Sequence, residues 1–183
     1  RWIVDPLDGT TNFLHGIPIF AISLGLEREG HLVAGVIYNP VMNELYVAER
    51  GSGAFLNDRR LRVAGRKELA DSVICTGNAP RMREDAGYAG ELTRVMHATA
   101  GVRRTGSAAI DLAWVASGRF DGYWHHGLSP WDTAAGILVV REAGGYASDA
   151  RGGDAVFESG SVVAGNELIH RQLLGLMASR TAR

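Results

Sequence analysis

Apolar and polar positions alternate along the chain with two different periods, and the changes of period mark its elements. Trp2-Ile3-Val4 is a short apolar run of β type that ends on Asp5-Pro6-Leu7-Asp8-Gly9. Phe20 to Leu26 and Leu32 to Tyr38 read as strands around Arg28-Glu29-Gly30, a turn signal. Asn39-Pro40 closes the second of these, Glu44 to Glu49 begins another, and Gly51-Ser52-Gly53 turns the chain into Ala54-Phe55-Leu56. After Asn57-Asp58, Leu61-Arg62-Val63 completes a predicted antiparallel meander with one face over a core. The glycines at 51 and 53 are read as turn positions, because no helical pattern follows them as a phosphate loop requires.

The second half changes character. Ser72 to Gly77 has the apolar run of a buried strand and leads to a helix predicted from Arg83 to Thr99. Val102 to Thr105 is a short strand closed by Gly106-Ser107, after which Ile110, Leu112, Ala113, Val115 and Ala116 suit a packed helix that stops at Gly118. Phe120 to Trp124 returns as strand. Pro130, suited to a first helical turn, precedes a helix over Thr133 to Ala143 that ends at Gly144-Gly145. Tyr146 to Ser148 and Ser161 to Ala164 are short strands, and an amphipathic helix over Glu167 to Ser179 finishes the chain. Strands and helices intermix, so the class is α/β or α+β. The polar link Ala64 to Asp71 divides residues 1–70 from residues 71–183 within a single predicted unit, without internal repeats.

Composition narrows the function classes. A net charge of -1, with 46% hydrophobic and 21% charged residues, suits a globular protein and offers no global attraction to nucleic acid or to an anionic membrane. Any affinity for phosphate must therefore come from a local site. Cys75 is alone and cannot form an internal disulfide, which favours a reducing, cytoplasmic setting. No apolar stretch approaches the ~20 residues of a membrane span, and no signal peptide is expected.

The candidate chemistry lies at the start. Pro6 pushes Asp5 toward extended geometry, and Gly9 allows a conformation or a close approach that a side chain would obstruct, so the turn can gather Asp5 and Asp8 on one side. Paired carboxylates repel, and holding them together needs a raised pKa, a basic partner or a cation. A hard divalent ion such as magnesium suits carboxylate oxygens. The plainer alternative is an Asp-Pro turn followed by an Asp-Gly turn, with both acids in water.

The longer string Asp-Pro-Leu-Asp-Gly-Thr-Thr-Asn-Phe over residues 5–13, with His15-Gly16-Ile17-Pro18 behind it, resembles the metal-binding signature of the inositol monophosphatase family. Gly127-Leu128-Ser129-Pro130-Trp131-Asp132-Thr133-Ala134-Ala135-Gly136 resembles that family's second motif, in the family's order, and the likeness runs on to about Asn166. The resemblance implies a layered α-β-α-β-α fold with the metal site where the two halves meet. It also implies an N-terminal helical pair and a first strand ahead of this chain's opening strand.

As implied by the resemblance, Asp5 bridges two Mg2+ ions, the Leu7 carbonyl joins one, and Asp8 with Asp132 hold the other. Taken alone, Asp132 would read as an ordinary early-helix acid favoured by the helix dipole. Thr10 would orient an attacking water, and the N–H groups of Gly9 and Thr10 would hold phosphate oxygens. Gly106, Ser107 and Ala108 match the segment that meets the inositol ring. His125 stands where the family's inositol enzymes usually carry a glutamate that bonds ring hydroxyls. The family's Gly-Glu-Glu motif, whose glutamate ligates the first ion, is missing from the 183 residues, so this chain by itself is expected to be weakly active or inactive.

The expected activity is a lithium-sensitive phosphomonoesterase acting on inositol 1-phosphate or a related small ester. Histidinol-phosphate, fructose-1,6-bisphosphate and nucleotide phosphatases of the same superfamily are the alternatives, and a homodimer is implied. Some bacterial relatives suggest a different class, a non-catalytic partner of the transcription machinery. Three further expectations concern single side chains. Trp131 should pack in the core, His15 should be a structural loop residue, and His125 with His126 should not form a metal pair, because adjacent strand residues face opposite ways.

Overall fold

The computed structural model describes residues 1–77 and 86–178. Six strands follow one another as an antiparallel meander in the order of the sequence: β1 (Trp2–Asp8), β2 (Ala21–Arg28), β3 (His31–Asn39), β4 (Glu44–Glu49), β5 (Gly53–Leu56) and β6 (Arg59–Arg60). A short helix, α1 (Thr10–Leu14), separates the first two. A second sheet contains β7 (Val73–Thr76), β8 (Gly101–Arg103), β9 (Gly122–His126), β10 (Tyr146–Ser148) and β11 (Ser161–Gly165), in the order β10-β11-β9-β7-β8. Within it β7 runs parallel to both β8 and β9, whereas β9, β11 and β10 pair antiparallel.

Helices fill the layers between and beyond the sheets. Those of the second half are α2 (Ala86–Ala98), α3 (Ala108–Ala116), α4 (Pro130–Glu142), the single turn α5 (Val156–Ser159) and α6 (Glu167–Ala178). Helices α3 and α4 pack on each other and lie between the two sheets, and α2 and α6 pack together on the far side of the second sheet. The larger core lies between the sheets, where Ile37, Tyr46 and Ala48 of the first meet Leu112, Val139 and Val140 of the sandwiched helices. The smaller core joins Trp124 and Val163 of the second sheet to Val95, Ile169 and Leu173 outside it. The class expected from the mixed order of elements is the one observed.

Most boundaries fall where the periodicity puts them, and the departures have local causes. The meander's last strand is Arg59–Arg60 rather than Leu61-Arg62-Val63; Leu61 gives one more bond to the Ala54 carbonyl at 2.8 Å, and Val63 turns away to bond Ala143. The polar link carries a 3-10 turn over Leu69–Asp71. The predicted start of the first long helix at Arg83 and the end of the last at Ser179 lie outside the described residues. Among the described residues no helix is long and apolar enough to cross a membrane.

Two glycines decide how closely the layers approach. Gly25 and Gly35 face each other across β2 and β3. A Cβ on Gly25 would come within 2.8 Å of the Ala134 methyl, and one on Gly35 within 3.0 Å of the Ala135 carbonyl oxygen. This bare patch lets the first turns of α4 lie directly on the sheet beside β1.

Candidate metal centre

The opening strand shows how Asp5 and Asp8 come to share a side. On a regular strand, residues three apart face opposite ways. Here the pairing with β2 passes from Asp5 opposite Ser23 to Asp8 opposite Ala21, so three steps on one strand match two on the other. The extra residue is a bulge at Pro6-Leu7, and proline, which has no N–H for the ladder, belongs at such a break. The bulge restores the parity. Gly9 then takes a left-handed φ of 87°, and a Cβ on it would meet the Ile19 carbonyl oxygen at 2.9 Å. Conformation and crowding both require glycine there.

Asp132 arrives from the other half of the chain. Pro130 opens α4, and an Asp132 carboxylate oxygen accepts the Ser129 N–H at 2.7 Å, in the manner of a capping box. Asp5, Asp8 and Asp132 each bring one carboxylate oxygen into a group in which all lie within 4.8 Å of one another. The expected convergence is thus present. Trp131 departs from expectation, because its side chain is half exposed rather than in the core. It is the backbone carbonyl of Trp131 that ties the helix start to the sheet, as a 3.4 Å acceptor for the Ser23 hydroxyl.

The surroundings of the three acids differ. Asp8 is buried and its pKa is pushed up to about 6, chiefly by burial, with Asp5 and Asp132 adding repulsion. The bonds it accepts, from the Ser107 hydroxyl at 2.5 Å and the Ala109 N–H at 2.8 Å, act the other way and both fall on Oδ2. Asp5 is half-buried and accepts the Leu7 N–H at 3.0 Å. The Leu7 carbonyl in turn accepts the Thr10 hydroxyl at 2.8 Å. Such a cluster of hard oxygen donors, strained by mutual repulsion, is fitted to a divalent cation.

The predicted substrate residues fare unevenly. Gly106 takes a φ of 90° and packs against the Asn12 amide, while Ala108 is buried at the start of α3. The buried Ser107 hydroxyl caps α3 by accepting the Ile110 N–H and donates to Asp8, so it supports an acid of the cluster. His125 is also buried, with Nδ1 2.9 Å from the Tyr123 hydroxyl and Nε2 without a hydrogen-bond partner among the described residues. His126 turns the other way, to Glu91 at 2.7 Å, as strand alternation requires. His15 follows α1 as an exposed C-cap residue.

The family is decided by comparison with known proteins. The model of the inositol monophosphatase family matches residues 1–182. The chain belongs to the inositol monophosphatase family. It is 64% identical over 175 residues to an inositol-1-monophosphatase of Mesorhizobium japonicum, covering 95% of this chain and 66% of that protein. Against the Nus factor SuhB of Pseudomonas aeruginosa, identity is 47% over 176 residues, 94% of this chain and 65% of the relative. The crystal structure of the extragenic suppressor protein suhB from Bartonella henselae superposes with a TM-score of 0.94 at 56% identity, over 97% of this chain and 68% of that one. The chain therefore spans about two thirds of the length of the curated relatives it matches.

Several working residues escaped the sequence reading. Asn12 donates to the carbonyls of Ile19 at 2.7 Å and Thr105 at 2.8 Å, which pins the opening loop to the turn before α3. Thr105 and Asp111 extend that contact, and Gly77 lies so close under the His125 ring that a Cβ there would sit 2.2 Å from it. Asp111 did carry a signal: it is the single polar residue in the run from Ala108 to Ala116.

Proposed function

We propose that this chain carries the reaction centre of a cytoplasmic, Mg2+-dependent phosphomonoesterase, homodimeric when complete, that acts on inositol 1-phosphate or a related small phosphate monoester. The observation that carries this reading is the meeting of Asp5, Asp8 and Asp132 from two distant segments within 4.8 Å. Bound magnesium ions would supply an activated water on one side of the phosphorus and charge for the departing alkoxide on the other. Asp5 is suited to bridge two ions, the Leu7 carbonyl to join one, and Asp8 with Asp132 to hold the second. Thr10, whose hydroxyl already reaches the Leu7 carbonyl, would orient the water, although a hydroxyl is a poor base. The N–H groups of Gly9 and Thr10 would hold phosphate oxygens.

Substrate choice then falls to Gly106, Ser107, Ala108 and His125. A neutral His125 can give or take one bond through Nε2, but it lacks the two anionic acceptors of a carboxylate. The complete natural chain, assayed with Mg2+ against inositol 1-phosphate, histidinol phosphate, fructose 1,6-bisphosphate and a bisphosphorylated nucleotide, decides the matter. Preferential hydrolysis of inositol 1-phosphate, inhibition by lithium and its loss in Asp8→Asn are expected. Absence of Mg2+-dependent hydrolysis of every ester would overturn the reading. The 183 residues alone should turn over slowly, because the glutamate of the Gly-Glu-Glu motif is not among them.

A second reading is favoured by the name Nus factor SuhB carried by relatives such as that of Pseudomonas aeruginosa. In that reading the chain is a protein partner of the transcription machinery, and hydrolysis is separable from binding. Recovery of transcription proteins that survives Asp8→Asn would support it.

A further inference from the structure

The buried acid of α3 has no place in the reaction scheme above. Asp111 is 1% exposed, and the rest of its helix, from Ala108 to Ala116, is apolar. An aliphatic side chain would fill that position without loss of solvation, so the carboxyl must gain something from its neighbours. The first of these is Thr105, whose hydroxyl donates to Asp111 Oδ1 at 2.7 Å. The same hydroxyl oxygen accepts the Ser107 N–H at 3.3 Å. Ser107 then carries the contact forward, its own hydroxyl donating to Asp8 Oδ2 at 2.5 Å. Three bonds thus link Asp111 to a carboxylate of the acidic cluster.

From this chain of contacts we infer that Asp111 is a positioning residue, which through Thr105 and Ser107 fixes the direction of the Asp8 carboxylate. The inference rests on the proposed metal-dependent reading of the cluster.

The turn that Asp111 holds is restrained from the opposite side as well. Asn12 of α1 donates to the Thr105 carbonyl at 2.8 Å, and Gly106 lies against the Asn12 amide with no room for a side chain. Residues 105–107 are therefore gripped between the opening loop and the interior of α3. The grip matters because the Asp8 carboxylate sits among other acids and would otherwise rotate away from them. With Oδ2 held by Ser107 and Ala109, rotation of the carboxylate away from the cluster is opposed by two hydrogen bonds. Groups that hold metal ligands in this way tune affinity without touching the ion. Burial keeps the carboxyl of Asp111 well above the usual carboxylate range, with Thr105 opposing that shift and the charge of Asp8 adding to it. It acts as a neutral acceptor, a role that an amide can fill.

The test measures Mn2+ binding to the complete natural chain, by the loss of free-ion signal in electron paramagnetic resonance, with thermal unfolding in chelator run alongside. Asp111→Ala and Thr105→Val should each weaken Mn2+ binding about tenfold or more, within the range seen for outer-shell changes. Asp111→Asn, which keeps an acceptor at Oδ1, should recover most of the loss. Under saturating metal, kcat should fall in the first two variants while KM changes little. A purely structural role would lower the unfolding temperature and leave the Mn2+ affinity of the folded fraction unchanged, and that result overturns the inference. So does an asparagine variant as impaired as alanine. Should Asp111→Ala fail to fold, Thr105→Val carries the test, since it removes only the bridging hydroxyl. Binding by the natural chain with both variants unaffected defeats this inference alone; no binding by the natural chain defeats the metal-dependent reading with it.

Discussion

At the scale of single residues, the second half's contribution to the site is a set of buried polar groups whose protonation follows from burial. His125 is held neutral, its pKa lowered to about 3, first by desolvation and then by His126 and Arg104. In the unfolded chain an imidazole titrates near 6.5, so acid drives unfolding here. A depressed histidine pKa contributes stability that is complete above about 6.5 and is lost as pH falls toward 3. Asp8, in the absence of metal, works in the opposite direction. Its pKa is raised from 3.8 to about 6, so its share is present in acid and is lost as pH rises through that window. The two nearly cancel between about pH 4 and pH 6 in metal-free protein, and Asp111, held neutral by burial while its unfolded form ionises, takes further stability away as pH rises, which makes the natural chain a poor place to see any of them. Asp8→Asn combined with Asp111→Asn leaves the histidine alone, and the stability of this double variant in chelator should rise by about 3 kcal/mol from pH 4 to pH 6, at about 1.4 kcal/mol per pH unit. Denaturant unfolding across that range checks it. A flat profile in the double variant would mean that His125 is not buried as described.

The next scale is that of the elements, and there the site depends on the seat of α4. Gly25 and Gly35 form a bare cross-strand pair against Ala134 and Ala135, two to three residues beyond Asp132. Gly35→Val would push against the helix backbone, which cannot yield as a flexible side chain would. The expected cost is about 1–3 kcal/mol of stability, with Mn2+ affinity falling because Asp132 moves with its helix. Chemical denaturation and metal titration of the variant measure both, and an unchanged affinity would show that the seat does not set the cluster. The sequence makes some of this legible and hides the rest. Two strong periods give strands β2 to β5 and helices α3, α4 and α6 with small boundary errors. Arg59–Arg60 has no apolar signal, and one turn at Val156–Ser159 is too short for a period to show, so β6 and α5 stay invisible. Asp5 and Asp8 stand out as a pair, but their parity is wrong until the bulge is known. Strand glycines announce a close approach without naming what approaches. Ser107 reads as a turn residue, and its hydroxyl's partner 99 residues earlier comes only from the fold.

Over the whole molecule, two surfaces have consequences for solution behaviour. The outer face of the first sheet carries Val4, Leu24, Val36, Val47 and Phe55 in one register row, with Trp2 and Ile22 beside it, and several of these side chains are exposed. An apolar face of that kind binds hydrophobic dyes and associates. The 183 residues alone should therefore enhance anilinonaphthalene sulfonate fluorescence, and Val47→Lys should reduce the signal; no enhancement would mean that the face is covered in solution. The second surface is the acidic cluster, where β1 of residues 1–70 meets α4 of residues 71–183. Without a cation, three carboxylates press the two halves apart. A divalent ion bound there reverses the sign and joins them. Ligand binding to the folded state alone stabilises it by about 2.7 kcal/mol at a hundred times Kd, and for a chain of this size each kcal/mol raises Tm by about 2–4 °C. Mg2+ or Mn2+ at that excess should thus raise the melting temperature by about 5–10 °C over a chelated sample at equal ionic strength. Asp132→Asn should remove most of that rise, because it takes one charge from the cluster at the point where the halves meet. An equal rise in the variant would place the cation elsewhere and detach the two halves' stability from the three acids.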